Sequence, residues 1–358
     1  GTRLGFVLAI GVWSLATMLH AVAAGLASFS ILRGILGVAE AGNWPGATKA
    51  NAEWFPIRER ALAQGIFNSG AAIGGIISAP IVAYLFVYLG SWQATFIVIG
   101  AFGFLWLVPW LIVYKTGPAK HPWLSADERE YILTGQRNTE TNAPATYAPG
   151  SAEILSRKES WGVILASFFL DPIWWLFILW LPLFLTETYG FGVAEIGKYA
   201  WVPYVGAMFG AWFGGLLAQK LIKAGWTVNK VRKSIISLGG LIMLVALLMT
   251  IKPASPMVAM LLVAAILFGF QTAVGNIQTL PSDFYSGDSV GTLAGYAGTA
   301  AKLAVVGMNF LIPRITEDSY APAFAVAAAL SILTVLSVLV LCTRIKPLSP
   351  RAASPAQR

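Results

Sequence analysis

The chain has 358 residues, of which 57% are hydrophobic and 11% are charged, against roughly 25% charged in an average soluble domain. So large an apolar fraction cannot be hidden in a water-soluble core, which excludes an ordinary soluble fold. The formal net charge is +8, but the basic residues concentrate in particular loops, so a nucleic-acid partner is not expected.

Apolar runs of about 20 residues or more, the length that a helix needs to cross roughly 30 Å of hydrocarbon, recur along the whole chain. We therefore predict an all-α integral membrane protein. Ten spanning segments are predicted: Phe6–Ala27, Phe29–Ala50, Ala61–Leu85, Trp92–Tyr114, Trp161–Thr186, Val193–Ala218, Lys233–Ile251, Pro256–Thr279, Val290–Pro313 and Ala321–Thr343.

A polar stretch at 115–158 separates the first four segments from the last six. Within it, Ser125 and Glu128 have the spacing of a capping box, which predicts a short surface helix from Asp127 to about Gln136. The predicted organisation is an N-terminal bundle at 1–114, this loop at 115–158, a C-terminal bundle at 159–345 and a tail at 346–358.

Basic residues are distributed unevenly between the two sides that these segments define. Nineteen fall on the side of the 115–158 loop, and two, Lys252 and Arg314, fall in the loops of the opposite side. By the positive-inside rule, the loop and the C-terminus lie in the cytoplasm. We expect a multi-pass protein of the cytoplasmic (inner) membrane that is monomeric in the lipid bilayer.

Four segments before the loop and six after it make unequal halves. Transporters built from two six-helix halves, each a pair of inverted three-helix repeats, form a known architecture. The chain begins with Gly1 and not with methionine. We expect two further helices to precede it, giving twelve in all; a genuine ten-helix protein is the alternative.

Four charged side chains lie deep inside predicted segments: Arg33 and Glu40 in the second, Asp171 in the fifth and Lys302 in the ninth. Each costs on the order of 2.5–3.5 kcal/mol near the bilayer centre, so each is a candidate for function. Arg33 and Glu40 share one helix face, with Trp44 on the same stripe. We predict that Arg33 lines an anion path and that Glu40 loads and releases a proton. A structural ion pair with a neighbouring helix is the alternative.

Lys302 lies near the middle of its segment, where its ammonium is a candidate seat for a substrate carboxylate. The alternative is a bridge to Asp171 that neutralises both charges. Asp171 precedes Pro172, which removes a helix hydrogen bond and bends the helix, so a hinge role competes with a proton or substrate role. Asn309, seven residues after Lys302, continues its helix face.

Uncharged polar and aromatic side chains in other segments extend the predicted cavity. Such groups hydrogen bond to or stack against a polyol, although each alone is more often a helix–helix link or an interface anchor. The chain has one cysteine and no metal-ligand cluster, phosphate-binding glycine loop or nucleophile elbow. No cofactor, metal or enzymatic activity is therefore expected. The further candidates for substrate binding are Asn68, Trp175, Gln271 and Asn276.

Several motifs resemble the major facilitator superfamily and, within it, the anion:cation symporter family. The stretch 33–46 (RGILGVAEAGNWPG), followed by EWFPIRER at 53–60, is similar to that family's fourth helix and following loop. HPWLSADE at 121–128 and DPIWW at 171–175 resemble its hexuronate-transporter branch.

The resemblance implies a bundle of two pseudo-symmetric halves that alternates access around a central site and couples a sugar-acid carboxylate to proton entry. The family's glutamate and arginine on the fourth helix map onto Glu40 and Arg33. Lys302 departs from the hexuronate pattern, which leaves the sugar acid open. We expect proton-coupled symport of a hexuronate or related sugar acid. The alternatives are a proton-independent exchanger or exporter of another organic anion, and a membrane sensor that binds without transport.

Overall fold

The computed structural model describes residues 1–136, 147–192, 196, 199–252 and 255–350. In these residues every regular element is helical, and the longer ones are α-helices. The helices are α1 Thr2–Leu19, α2 Leu26–Glu40, α3 Asn43–Trp54, α4 Arg60–Leu89, α5 Trp92–Val113, α6 Ala126–Gly135, α7 Ser151–Ser156, α8 Lys158–Tyr189, α9 Val202–Lys223, α10 Val228–Thr250, α11 Pro256–Phe284, α12 Asp288–Ile315 and α13 Ala321–Leu336.

Nine helices in the described part of the chain are long and apolar enough to cross a membrane. They correspond to nine of the ten predicted segments, so the predicted all-α membrane fold is confirmed. Large apolar side chains such as Leu105 and Phe310 stay exposed on the outside of the bundle. Contiguous exposed apolar surface of this kind is typical of helices that face lipid.

The second predicted segment, Phe29–Ala50, is two helices and not one. α2 ends at Glu40, and α3 begins at Asn43, so that two residues separate them. Pro45 has no N–H to donate to the carbonyl of Ala41, and its ring crowds that turn of helix. The prediction of one continuous helix carrying Glu40 and Trp44 on a single stripe is therefore wrong.

Of two further predicted helices, one starts later than predicted and one is confirmed. The sixth predicted segment starts at Val193, but the helix α9 starts at Val202, with Pro203 in its first turn, where a missing N–H is tolerated. Residues 193–195 and 197–198 lie outside the described residues. The predicted surface helix is confirmed as α6, with both hydrogen bonds of the Ser125–Glu128 capping box present.

One continuous apolar core runs through α8 to α13. Glycines allow its helices to pack closely. A Cβ atom on Gly210 of α9 would lie 2.2 Å from the carbonyl oxygen of Phe268 on α11, so only glycine permits this crossing. The result is a closely packed bundle that contains α8, α11 and α12.

The helices before the 115–158 loop meet those after it at one end of the molecule, where Lys49, Arg60 and Arg157 lie; we call it the basic end. There α4 crosses α9, and a Cβ atom on Gly65 would lie 2.3 Å from the carbonyl oxygen of Ala211. Beyond Ala72, none of the described side chains of α4 is buried. The basic end is thus where α4 is held against the second set of helices.

Candidate substrate and proton site

α8 and α12 pack side by side and bring two of the predicted charges together. The Nζ atom of Lys302 donates a hydrogen bond to Oδ2 of Asp171 at 2.6 Å. The same ammonium lies 4.8 Å from the centre of the Trp175 ring, which is a cation–π contact. The bridge considered as the alternative for Lys302 is therefore present, and Trp175 belongs to the same cluster.

The Asp171–Lys302 pair is not sealed inside the protein. The Lys302 side chain is 54% exposed and that of Asp171 is 23% exposed. Both residues lie near the middle of their helices, about 20 Å from the basic end at 1.5 Å per residue. An open charge at this depth is tolerated where it faces a water-filled cavity. A substrate role for Lys302 stays a prediction that the geometry permits.

A second polar contact joins the same two helices farther from the basic end. The Trp180 indole N–H donates to Oδ1 of Asn309 at 3.2 Å. Trp174, next to Trp175 in the sequence, packs on Phe270 of α11, with ring centres 5.3 Å apart. The polar face of α12 predicted from Lys302 and Asn309 therefore faces α8.

Gln271 of α11 lies at a similar depth, thirteen residues from the last residue of its helix, which is about 20 Å. It is 4% exposed, and its Oε1 atom has no hydrogen-bond partner among the described residues. Leaving a buried acceptor without a donor costs about 1–3 kcal/mol. This oxygen is thus a buried acceptor whose hydrogen-bonding capacity is not used within the described residues.

The other two predicted amides are engaged within the protein. Asn68 and its neighbour Gln64 both donate to Oε1 of Gln278, each at 2.9 Å, and so link α4 to α11. Asn276 is fully buried, and its carbonyl oxygen accepts a hydrogen bond from Arg232 at 3.2 Å. Both Asn68 and Asn276 act as helix–helix links in this structure, and their predicted substrate contacts stay untested.

Sequence reasoning missed a buried ion pair at the basic end. The Nε atom of Arg232 donates to Oδ2 of Asp283 at 2.9 Å, and the two side chains are 0% and 2% exposed. The sequence contained a signal for this pair. Arg232 directly precedes the predicted segment Lys233–Ile251, and Asp283 follows the predicted segment Pro256–Thr279 by four residues on the same side of the membrane. They were placed in loops because hydropathy alone set the ends of the segments.

A second buried arginine at the basic end ties the two sets of helices together. Arg60 donates to the carbonyl oxygens of Ser282 and Ala52, both at 3.0 Å. Lys49 of α3 pairs with Asp288 at the start of α12. These contacts close the basic end between α3, α4, α11 and α12.

Arg33 and Glu40 are exposed on α2, which packs against α1. Among the described residues neither side chain forms a hydrogen bond or an ion pair, so the structural ion pair considered as their alternative is not found there. Both residues lie on α2, before the break that separates it from α3.

Trp44 lies on α3 and contacts α4, whereas Arg33 and Glu40 lie on α2. Its ring packs edge-on against Phe67 of α4, with centres 5.1 Å apart. The described residues contain no group of three or more His, Cys, Asp or Glu side chains that could hold a metal ion.

Residues 1–308 match the family model of the Major Facilitator Superfamily, which is most of the chain. The chain belongs to the Major Facilitator Superfamily. It is a multi-pass membrane protein of a family of transporters that carry small molecules.

Relatives of this superfamily member include transporters of hexuronate and of galacturonate. It is 33% identical over 341 residues to the hexuronate transporter of Escherichia coli K12, covering 94% of this chain and 78% of the relative. It is 37% identical over 247 residues to the galacturonate transporter of Dickeya chrysanthemi, covering 68% and 70%. The resemblance inferred from the motifs at 33–60 and 121–128 is confirmed.

A solved structure shows the same fold. The proton:xylose symporter bound to 6-bromo-6-deoxy-D-glucose aligns with a TM-score of 0.70 at 15% identity, covering 95% of this chain and 80% of the symporter.

Proposed function

We propose that this superfamily member carries a hexuronate or a related sugar acid across the membrane by proton-coupled symport. The observation that carries the proposal is the half-exposed Asp171–Lys302 pair beside Trp175 in the middle of the bundle. It combines a cation with an aromatic face, the two features that a sugar ring bearing a carboxylate requires. The identity to hexuronate and galacturonate transporters supports the same class of substrate.

Each group has a role in this proposal. Lys302 receives the carboxylate, Trp175 packs against the sugar ring, and the unpartnered oxygen of Gln271 accepts a hydrogen bond from a hydroxyl. Arg33 on α2 supplies a second positive charge to the anion path. Asn309 positions Trp180 at the edge of the site.

Glu40 is the proposed proton carrier. A negatively charged carboxylate resists enclosure in the membrane interior, because burying a charge there is costly. Protonation removes that cost. Enclosure of the substrate and protonation of Glu40 are therefore coupled in free energy, as in any linked binding.

Transport itself requires the two sets of helices to rock about the central site. In the present structure they are joined at the basic end by Arg60–Ser282, by Asn68–Gln278 and by Lys49–Asp288. Release on that side, which the positive-inside rule assigns to the cytoplasm, requires these contacts to separate.

Uptake into liposomes tests the proposal. The purified chain should accumulate radiolabelled D-galacturonate or D-glucuronate when an inward proton gradient is imposed, and a protonophore should abolish the accumulation. D-galactose, which lacks the carboxylate, is the matched control and should not accumulate. Equal galacturonate exchange with and without the gradient would select an exchanger, and binding without flux would select a sensor.

A further inference from the structure

The two ion pairs inside this bundle differ in how completely they are satisfied. Arg232 and Asp283 are sealed from solvent, and Arg232 makes a further hydrogen bond to Asn276. Lys302 makes one hydrogen bond among the described residues, to Asp171, and more than half of its side chain is open. An ammonium has three N–H donors, so two remain for a ligand. The Arg232–Asp283 pair is therefore inaccessible to a ligand, whereas Lys302 of the Asp171–Lys302 pair can accept contact from an additional hydrogen-bond acceptor.

The charge of the open pair sets a constraint on any anion that joins it. Lys302 and Asp171 together are neutral. A substrate carboxylate that bonds to Lys302 therefore leaves one uncompensated negative charge near the middle of the membrane, where such a charge is costly. Two carboxylates that share one site repel each other, and the usual resolution is that one of them holds a proton.

We infer that Asp171 is a second proton-carrying carboxyl, which holds Lys302 while the site is empty and takes up a proton when the carboxylate of a sugar acid replaces it. This inference rests on the proposed function. The proton comes from the same aqueous phase as the substrate and forms the O–H bond on Asp171, while Lys302 keeps its charge. Release of the substrate reverses both changes, so the pair re-forms and the proton leaves on the opposite side.

Lys302 is the charged group that faces Asp171. α8 packs against α7, α11, α12 and α13 and against the π-helical turn Ser337–Leu341, and α13 and that turn carry no titratable side chain. Tyr296 of α12 is nearly two turns from Lys302. The remaining titratable groups lie near helix ends: Lys158, Glu159, Glu187 and Tyr189 on α8, Glu153 on α7, Asp283 on α11, and Asp288 and Arg314 on α12.

Proton uptake on binding tests the inference directly. Calorimetric titration of the purified chain with D-galacturonate, in buffers of different ionisation enthalpy, gives the number of protons taken up per substrate. We expect Asp171→Asn to take up one proton fewer than the wild-type chain. The Kd of Asp171→Asn should also rise less steeply with pH than that of the wild type. Each coupled proton changes Kd about tenfold per pH unit, so the rise per pH unit should be about tenfold smaller in the variant. Asp318→Asn, an exposed acid outside the site, is the matched control and should match the wild type.

A second variant keeps the test valid if Asp171→Asn does not fold. Glu40 is exposed on α2, so Glu40→Gln removes the first proton carrier without leaving a buried partner. This variant should still take up a proton on binding D-galacturonate. Binding with no proton uptake in Glu40→Gln, or equal uptake in Asp171→Asn and the wild type, would overturn the role of Asp171. A wild-type chain that binds no sugar acid would instead overturn the proposed function.

Discussion

Asp283 accepts hydrogen bonds from a fully buried guanidinium, and this contact makes the basic end depend on a single carboxylate. Removing one partner of a buried pair leaves the other charge uncompensated, which costs about 3–5 kcal/mol. Arg232 has no other carboxylate within hydrogen-bonding distance among the described residues. We infer that the pair is a structural element, in contrast to the open pair at Asp171.

Asp283→Asn should therefore lower the free energy of unfolding by about 3–5 kcal/mol, whereas Glu317→Gln, an exposed acid at the opposite end, should change it by less than about 0.5 kcal/mol. Unfolding of the purified protein in mixed detergent micelles measures both. Equal stability of the two variants would show that the buried pair does not hold the helices together.

Glu40→Gln tests the first proton carrier. The variant should accumulate less D-galacturonate than the wild type at the same imposed proton gradient and should keep counterflow exchange. Its permanently neutral side chain permits enclosure of the substrate, and Asp171 is then the one proposed carrier that still moves a proton. Glu317→Gln is the matched control and should behave as the wild type. Accumulation in Glu40→Gln equal to that of the wild type would remove Glu40 from the coupling mechanism.

At the scale of helices, the close crossing of α4 and α9 depends on one position. A Cβ atom on Gly65 would lie 2.3 Å from a backbone oxygen that cannot move independently, whereas one on Gly70 of the same helix meets nothing within 4 Å. Gly65 therefore has a packing role that Gly70 does not share.

Gly65→Ala should destabilise the protein by about 1–3 kcal/mol through overpacking. Gly70→Ala should be neutral, or stabilising by up to about 1 kcal/mol, because alanine is the better helix former. Thermal unfolding of the two variants in the same detergent checks the difference. A Gly65→Ala protein as stable as Gly70→Ala would mean that the helices are not held in contact at this crossing.

Hydropathy was sufficient to predict nine of the spanning helices, because a run of apolar residues of this length has no soluble alternative. It failed for Phe29–Ala50, where composition is apolar but Pro45 interrupts the hydrogen bonds. The predicted end at Thr279 fell short of Phe284 because Asp283 lowers the local hydropathy. Its pairing with Arg232 on another helix cannot be read from one sequence.

The candidate site was predictable in part for the same reason. Asp171 and Lys302 stand out because a charge inside an apolar segment needs an explanation. That these two charges pair with each other depends on the packing of α8 against α12. The exposure of the pair depends on the same packing. The unpartnered oxygen of Gln271 depends on all its neighbours, so only the structure distinguishes it from the satisfied amides of Asn68 and Asn276.

At the scale of the whole molecule, the two sets of helices meet through polar contacts at the basic end, and the Asp171–Lys302 pair lies about 20 Å away from it. This arrangement suits a carrier whose central site faces one side at a time. In the proposed mechanism, substrate and proton cross together because each lowers the cost of enclosing the other.

The most direct measurement of this account is the movement of protons that a sugar acid itself drives. Liposomes containing the wild-type chain and an internal pH indicator, with no imposed gradient, receive D-galacturonate on the outside. The account predicts that the lumen becomes acidic as labelled D-galacturonate enters, with at least one proton per sugar acid, and that D-galactose has no effect. Entry of D-galacturonate with an unchanged internal pH would contradict it.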